Sequence, residues 1–143
     1  MRVDTKELAG LTVLVVEDSE EAGALLCDIL TSWGAFCRRA ADGAAALRAV
    51  AAECPDAVLL DIGLPEIDGW EVARRLRATP AGATLPIAAL TAYDTSEDVH
   101  RSRDAGLDAH FVKPVLPDVL HRWLISLRTA PSASEGERPS VAG

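Results

Sequence analysis

The chain has 143 residues, of which 49% are hydrophobic and 25% are charged, so it holds enough apolar material for the core of one compact domain. Its formal net charge of -8, from 14 basic and 22 acidic residues, disfavours direct binding to the phosphate backbone of nucleic acids. No stretch has the length and apolarity of a membrane span, and residues 1–10 carry charges where a signal peptide would be apolar, so we expect a cytoplasmic protein.

The three cysteines, Cys27, Cys37 and Cys54, are an odd set without the spacing of metal ligands, and each lies in an apolar stretch. We expect them to pack as small hydrophobic side chains with free thiols. The sequence therefore predicts neither a disulfide framework nor a zinc site, in agreement with a reducing environment.

Short apolar runs alternate with amphipathic segments along the chain. The predicted strands cover residues 11–16, 35–40, 57–60, 86–90 and 109–112, and the predicted helices begin near residues 20, 42, 69, 96 and 117. Ser19 stands at the first helix as a possible cap, and Gly34 follows its end. Five such strand–helix units predict right-handed crossovers and an α/β fold with a parallel sheet covered on both faces.

The chain shows no internal repeat and no second core-forming segment. We expect an N-terminal extension at residues 1–10 and one folded domain at residues 11–128. Residues 129–143 are rich in Ser, Pro and Gly and are predicted to be a disordered tail. The initiating methionine and this tail favour a complete small protein over a fragment.

Reactive side chains stand where four of the predicted strands end. Glu17 and Asp18 follow the first strand, Asp61 the third, Thr91 the fourth and Lys113 the fifth. In open parallel sheets, binding sites form outside the carboxyl ends of the strands. We therefore expect these five side chains to meet in one shallow pocket.

Three carboxylates in one pocket repel each other unless a cation lies between them, and hard oxygen ligands favour Mg2+ over a transition metal. At such a site Asp61 can attack phosphorus as a nucleophile and become an aspartyl phosphate, while Lys113 neutralises phosphoryl charge. The Thr91 hydroxyl and the backbone N–H of Ala92 are candidate phosphate contacts.

Four motifs at these strand ends resemble the receiver domain of two-component response regulators, and the resemblance covers residues 11–127. The motifs are VVED at 15–18, LLDIGLPEIDG at 59–69, LTA at 90–92 and FVKP at 111–114. The resemblance implies a flavodoxin-like (βα)5 doubly wound parallel sheet with strand order 2-1-3-4-5. It also implies a cis peptide between Lys113 and Pro114, which would aim the lysine into the pocket.

The resemblance implies a role for each matching residue. Asp61 would be the phosphoacceptor, Glu17 and Asp18 the acidic metal pair, Gly63 a metal ligand through its backbone carbonyl, and Lys113 and Thr91 the phosphate partners. The donor would be a histidine kinase or a histidine phosphotransfer protein, and the result a change in binding to a downstream protein effector through the fourth and fifth helices. Such a domain is not an enzyme beyond assisting its own phosphorylation and dephosphorylation, and we expect a monomer or weak dimer.

One position departs from the family pattern. Members commonly carry Tyr or Phe three residues before the lysine, as a ring that turns inward when the Thr or Ser hydroxyl moves to the phosphate, whereas this chain has His110. An imidazole packs and hydrogen-bonds differently and titrates near neutral pH. Tyr93 and Gly63 are expected at the mouth of the pocket, where they would tune access of the hydrolytic water.

Three alternatives stay open at this point. The domain could be a receiver-fold scaffold that is not regulated by phosphorylation, although all five pocket groups are present. It could be a receiver excised from a hybrid histidine kinase, a class that the sequence around Lys113 resembles. A true hydrolase with an aspartyl-phosphate intermediate is disfavoured, because the haloacid-dehalogenase-like plan places another aspartate where this chain has Gly63.

Overall fold

The computed structural model describes residues 7–92 and 96–129, within which five strands alternate with five helices. The elements are β1 (Thr12–Val16), α1 (Glu20–Ser32), β2 (Phe36–Ala40), α2 (Gly43–Ala52), β3 (Ala57–Asp61), α3 (Gly69–Arg77), β4 (Ile87–Thr91), α4 (Ser96–Asp104), β5 (Ala109–Val112) and α5 (Pro117–Thr129). Each strand lies within one residue of its predicted bounds, and each helix begins within one residue of its predicted start.

The strands form one parallel sheet in the order β2-β1-β3-β4-β5. The predicted flavodoxin-like arrangement is therefore confirmed. The order reverses between β1 and β3, which are hydrogen-bonded neighbours, and the ends of these two strands carry Glu17 and Asp61.

Successive side chains of each central strand pack into two separate cores, because neighbouring residues of a strand point to opposite faces of the sheet. From β1, Leu14 and Val16 pack on one face of the sheet with residues of α2 and α3, whereas Val13 and Val15 pack on the other face with residues of α1 and α5. Leu8, in the segment predicted as an extension, is fully buried in this second core.

Helices α1, α2 and α3 begin directly after loops at the carboxyl edge of the sheet, each with a side-chain cap. Ser19, Asp42 and Asp68 accept hydrogen bonds from the backbone N–H groups of Ala22, Ala45 and Glu71. These caps satisfy N–H groups that a helix leaves without an internal partner. The cap predicted at Ser19 is thus confirmed.

The expectation of three free thiols was wrong, because Cys27 and Cys37 form a disulfide. Cys27 lies on α1 and Cys37 on the adjacent strand β2, and packing of the helix against the sheet brings their Cα atoms to 5.5 Å, within the range that a disulfide spans. Cys54 remains a free thiol and is exposed.

Every helix in the part of the chain that the structure describes is too short or too polar to cross a lipid bilayer. The predicted tail lies almost wholly at residues 130–143, outside the described residues.

Candidate functional site

The predicted pocket residues meet at the carboxyl edge of the sheet. Glu17 follows β1, Asp61 and Thr91 are the last residues of β3 and β4, and Lys113 follows β5. Glu17, Asp61 and Thr91 are each no more than 5% exposed, although all three are polar. Buried polar side chains are uncommon without partners, so we expect these three side chains to have polar partners at this edge of the sheet.

Lys113 joins the first and third strands across the pocket. Its Nζ lies 3.0 Å from Glu17 Oε1 and 3.3 Å from Asp61 Oδ1. Burial alone would lower the pKa of Lys113, but the hydrogen bond to Glu17 and the charge of Asp61 outweigh it, so the pKa is raised. The ammonium therefore stays charged and offsets part of the negative charge.

One ammonium does not balance the three carboxylates. Each of Glu17, Asp18 and Asp61 places a carboxylate oxygen within 4.8 Å of those of the other two. Burial raises the pKa of Glu17 and the charge of Asp61 adds to the shift, against the opposing hydrogen bond from Lys113. A hard divalent cation would relieve this repulsion, and an all-oxygen donor set of this kind fits Mg2+.

The loop after Asp61 is held close to the carboxylate. The N–H of Gly63 donates to Asp61 Oδ1 over 3.0 Å, and the N–H of Gly69 donates to the carbonyl oxygen of Ile62 over 3.0 Å. A Cβ at Gly69 would lie 2.5 Å from the Asp61 carbonyl oxygen, so α3 approaches the strand end more closely than any side chain permits. On the opposite wall, the Lys113–Pro114 peptide is cis, as expected.

An open cleft of about 380 Å³ leads to Asp61. Its lining residues are Asp61, Ile62, Gly63, Trp70, Thr91, Ala92, Asp98 and Lys113. The cleft thus gathers the predicted residues Asp61, Gly63, Thr91, Ala92 and Lys113, while Glu17 and Asp18 border it from the β1 side.

Three lining residues, Ile62, Trp70 and Asp98, were not predicted from the sequence. Trp70 lies at the start of the helix that follows the Asp61 loop, and this position was a usable signal. Asp98 lies in the first turn of the polar helix α4, where no pattern distinguishes it from a solvated carboxylate.

His110 does not line the Asp61 cleft. Its Nδ1 lies 3.3 Å from Ser102 Oγ, and both residues line a separate cavity of about 220 Å³ between α4 and β5. Tyr93, predicted at the mouth of the pocket, lies outside the described residues.

An apolar groove of about 330 Å³ adjoins the site on the α1 side. Leu25 and Leu26 of α1 form one wall, Pro114 and Val115 form the other, and Glu17 and Lys113 lie at its end. Leu25 is 62% exposed, so the apolar wall that it forms is open to solvent.

Comparison with known proteins identifies this architecture. The family model of the response regulator receiver domain matches residues 13–124. The response regulator MprA of Mycolicibacterium vanbaalenii is 40% identical over 131 residues, which cover 90% of this chain and 56% of that protein. The sensor histidine kinase RcsC of Salmonella typhimurium is 37% identical over 114 residues, which cover 80% of this chain but 12% of the kinase. The chain therefore spans only part of these relatives.

Among solved structures, the receiver domain of a sensor histidine kinase from Pseudomonas aeruginosa is similar in fold and sequence. It superposes with a TM-score of 0.75 at 34% identity, covering 81% of this chain and 95% of that domain, and it has a magnesium ion coordinated in its active-site cleft. With the five-stranded order described above and the family match over residues 13–124, the conclusion is direct: the chain belongs to the response regulator receiver domain family of two-component systems.

Proposed function

We propose that this domain is a phosphorylation-activated switch in a two-component phosphorelay, with Asp61 as the phosphoacceptor. The observation that carries the proposal is the setting of Asp61, whose carboxylate is buried beside Lys113 yet opens onto the cleft. A carboxylate oxygen of Asp61 would attack the phosphorus of a phosphohistidine, forming a P–O bond while the P–N bond to the donor imidazole breaks. Electron density returns to the imidazole as it leaves.

The neighbouring groups suit a phosphoryl group on Asp61. Lys113 already contacts Asp61 Oδ1 and can move its ammonium to a phosphoryl oxygen without leaving the pocket. Thr91 ends the neighbouring strand β4 and supplies a hydroxyl, and Ala92 lines the same cleft and supplies a backbone N–H. Gly63 stands where a hydrolase of the aspartyl-phosphate type would need a second aspartate, so we propose a switch and not a turnover enzyme.

The acidic side of the site fits the magnesium ion that receiver domains bind. We propose that Glu17, Asp18 and Asp61 would hold the ion through side-chain oxygens and Gly63 through its carbonyl. When bound, Mg2+ supplies charge neutralisation for the phosphoryl oxygens. The cluster of three carboxylates and the magnesium ion of the Pseudomonas aeruginosa receiver both support this assignment.

A protein donor must place its phosphohistidine over Asp61, and the apolar groove beside Lys113 offers a surface for it. The groove has exposed Leu25 on one wall and the loop carrying exposed Leu116 beside the other, so a helix with an apolar stripe could cover both. We propose that a histidine kinase or histidine phosphotransfer protein docks there.

A downstream effector would then bind to the α4–α5 face of the phosphorylated domain. We propose that this domain spans residues 11–128.

The proposal is tested with acetyl phosphate and Mg2+, followed by intact-mass spectrometry. We expect the wild type to gain one phosphoryl mass that hydroxylamine removes, as it does from an acyl phosphate. Asp28→Asn, at an exposed position of α1, is the matched control and should gain the same mass, whereas Asp61→Asn should gain none. No gain in the wild type, or equal gain in Asp61→Asn, would refute the assignment.

A further inference from the structure

Trp70 lies at the boundary between the Asp61 cleft and helix α4. Trp70 lines the cleft together with Asp61. The Nε1–H donates a hydrogen bond to Ser102 Oγ over 3.0 Å, and the guanidinium carbon of Arg101 lies 3.8 Å from the centre of the ring. Two consecutive residues of α4 therefore hold one ring that also forms part of the site.

Helix α4 buries few apolar side chains of its own against the domain. Among its nine residues, all of which the structure describes, only Ser102 is buried. The apolar anchors Ala105 and Leu107 come after the helix has ended. Because a helix without an apolar stripe gains little from hydrophobic burial, the polar contacts with Trp70 contribute to holding α4 on the domain.

The hydrogen bond between Trp70 and Ser102 has a fixed direction. An indole N–H only donates, so Ser102 Oγ accepts from Trp70, and its own single proton remains to be donated. The second partner of this hydroxyl is His110, whose Nδ1 lies 3.3 Å from Ser102 Oγ. Ser102 Oγ has one proton and a second lone pair for this contact, so the tautomer of His110 sets which atom donates, and with either tautomer Ser102 links Trp70 to His110.

We propose that Trp70, Ser102 and His110 form a hydrogen-bonded relay that anchors α4 and couples the state of the Asp61 cleft to that helix. The anchoring is independent of the chemistry at Asp61, whereas the coupling rests on the proposed function. A phosphoryl group added beside Trp70 changes the space and charge around its ring. Any reorientation of the ring breaks its bond to a hydroxyl that is only 2% exposed, so α4 must repack or loosen. His110 thereby takes part in the readout through a ring nitrogen, which a phenylalanine in its place would not offer.

The relay is tested by hydrogen exchange of the α4 amides together with intact-mass analysis. Ser102→Ala removes the central hydroxyl without adding volume, and Trp70→Phe keeps a ring but removes the donor. The matched control is Ser126→Ala, which removes a helical hydroxyl that donates to the Trp123 carbonyl within α5. In the unmodified protein, we expect α4 amides to exchange roughly three- to tenfold faster in both relay variants than in the control, as loss of a buried hydrogen bond predicts.

Acetyl phosphate then tests the coupling. Ser102→Ala and Ser126→Ala should gain the phosphoryl mass as the wild type does, because neither serine lines the cleft. Phosphorylation should change α4 exchange in the wild type and in Ser126→Ala but leave Ser102→Ala nearly unchanged. Equal α4 exchange in all the unmodified proteins would overturn the anchoring, and an intact response in Ser102→Ala would overturn the coupling. A wild type that gains no mass would refute the proposed function and the coupling, while the exchange of the unmodified variants still decides the anchoring.

Discussion

Lys113 Nζ lies 3.3 Å from Asp61 Oδ1, although 52 positions of sequence separate the two residues. The same ammonium is 3.0 Å from Glu17 Oε1. The ammonium of Lys113 thus contacts two carboxylates that are almost fully buried. Without this positive charge, the carboxylates of Glu17 and Asp61 would repel each other.

Replacing Lys113 should destabilise the metal-free domain. In Lys113→Met the carboxylates of Glu17 and Asp61 lose their partner, and we expect the free energy of unfolding in EDTA to fall by about 1–3 kcal/mol. Added Mg2+ should recover part of this loss, since it replaces the missing positive charge. Urea unfolding with and without Mg2+ measures both effects. The exposed position Arg48→Met serves as the control, and an equal loss there would show that the site is not the cause.

Removing one acid should have the opposite effect. Asp18 is exposed but lies within the carboxylate cluster, so Asp18→Asn relieves repulsion and should raise the melting temperature in EDTA by roughly 2–5 °C. The same substitution removes a proposed magnesium ligand, so the further rise that Mg2+ gives the wild type should shrink. Thermal scans over a magnesium titration provide the measurement. If Asp18→Asn bound Mg2+ as well as Asp28→Asn does, Asp18 would have no part in the metal site.

The sheet and the strand-end residues could be predicted because local patterns encode them. The β-branched run at Thr12–Val16 has the character of a strand buried on both faces, and the structure buries four of its five residues. Ser19 carries a cap signal that the structure uses. Once the strand order was known from the resemblance, the positions of Glu17, Asp61 and Lys113 followed, since carboxyl ends of parallel strands share one edge.

Contacts between side chains of different helices and strands could not be predicted from local sequence patterns. Trp70 and Ser102 are 32 residues apart, and nothing in the polar helix α4 marks Ser102 as its one buried residue. The pairing of Cys27 with Cys37 depends on how α1 packs against the edge strand, which a count and spacing of cysteines do not specify.

The closeness of α3 to Asp61 makes Gly69 intolerant of a side chain. A Cβ there would lie 2.5 Å from the Asp61 carbonyl oxygen and 2.6 Å from Ile62 Cα, both of which are backbone atoms that cannot rotate away. We expect Gly69→Ala to cost about 1–3 kcal/mol of unfolding free energy and to slow phosphorylation by acetyl phosphate, since α3 must shift from the strand end.

Gly63→Ala is the matched control for Gly69→Ala. Its Cβ would meet only Asp61 Oδ1, at an ordinary contact distance of 3.7 Å. The control should therefore keep a stability within about 1 kcal/mol of the wild type, apart from the small backbone effect of replacing glycine. Equal losses in the two variants would contradict the steric explanation.

The disulfide predicts how many cysteines react in the folded and unfolded protein. Without reductant, alkylation in denaturant should modify Cys54 alone, and after reduction it should modify all three cysteines. The bond links residues only 10 positions apart, so the chain-entropy account gives a stabilisation of about 2–3 kcal/mol that reductant should remove. Cys54→Ser should keep this dependence on reductant, and Cys37→Ser should lose it. Three alkylated cysteines in the unreduced protein would show that α1 and β2 are held together by packing alone.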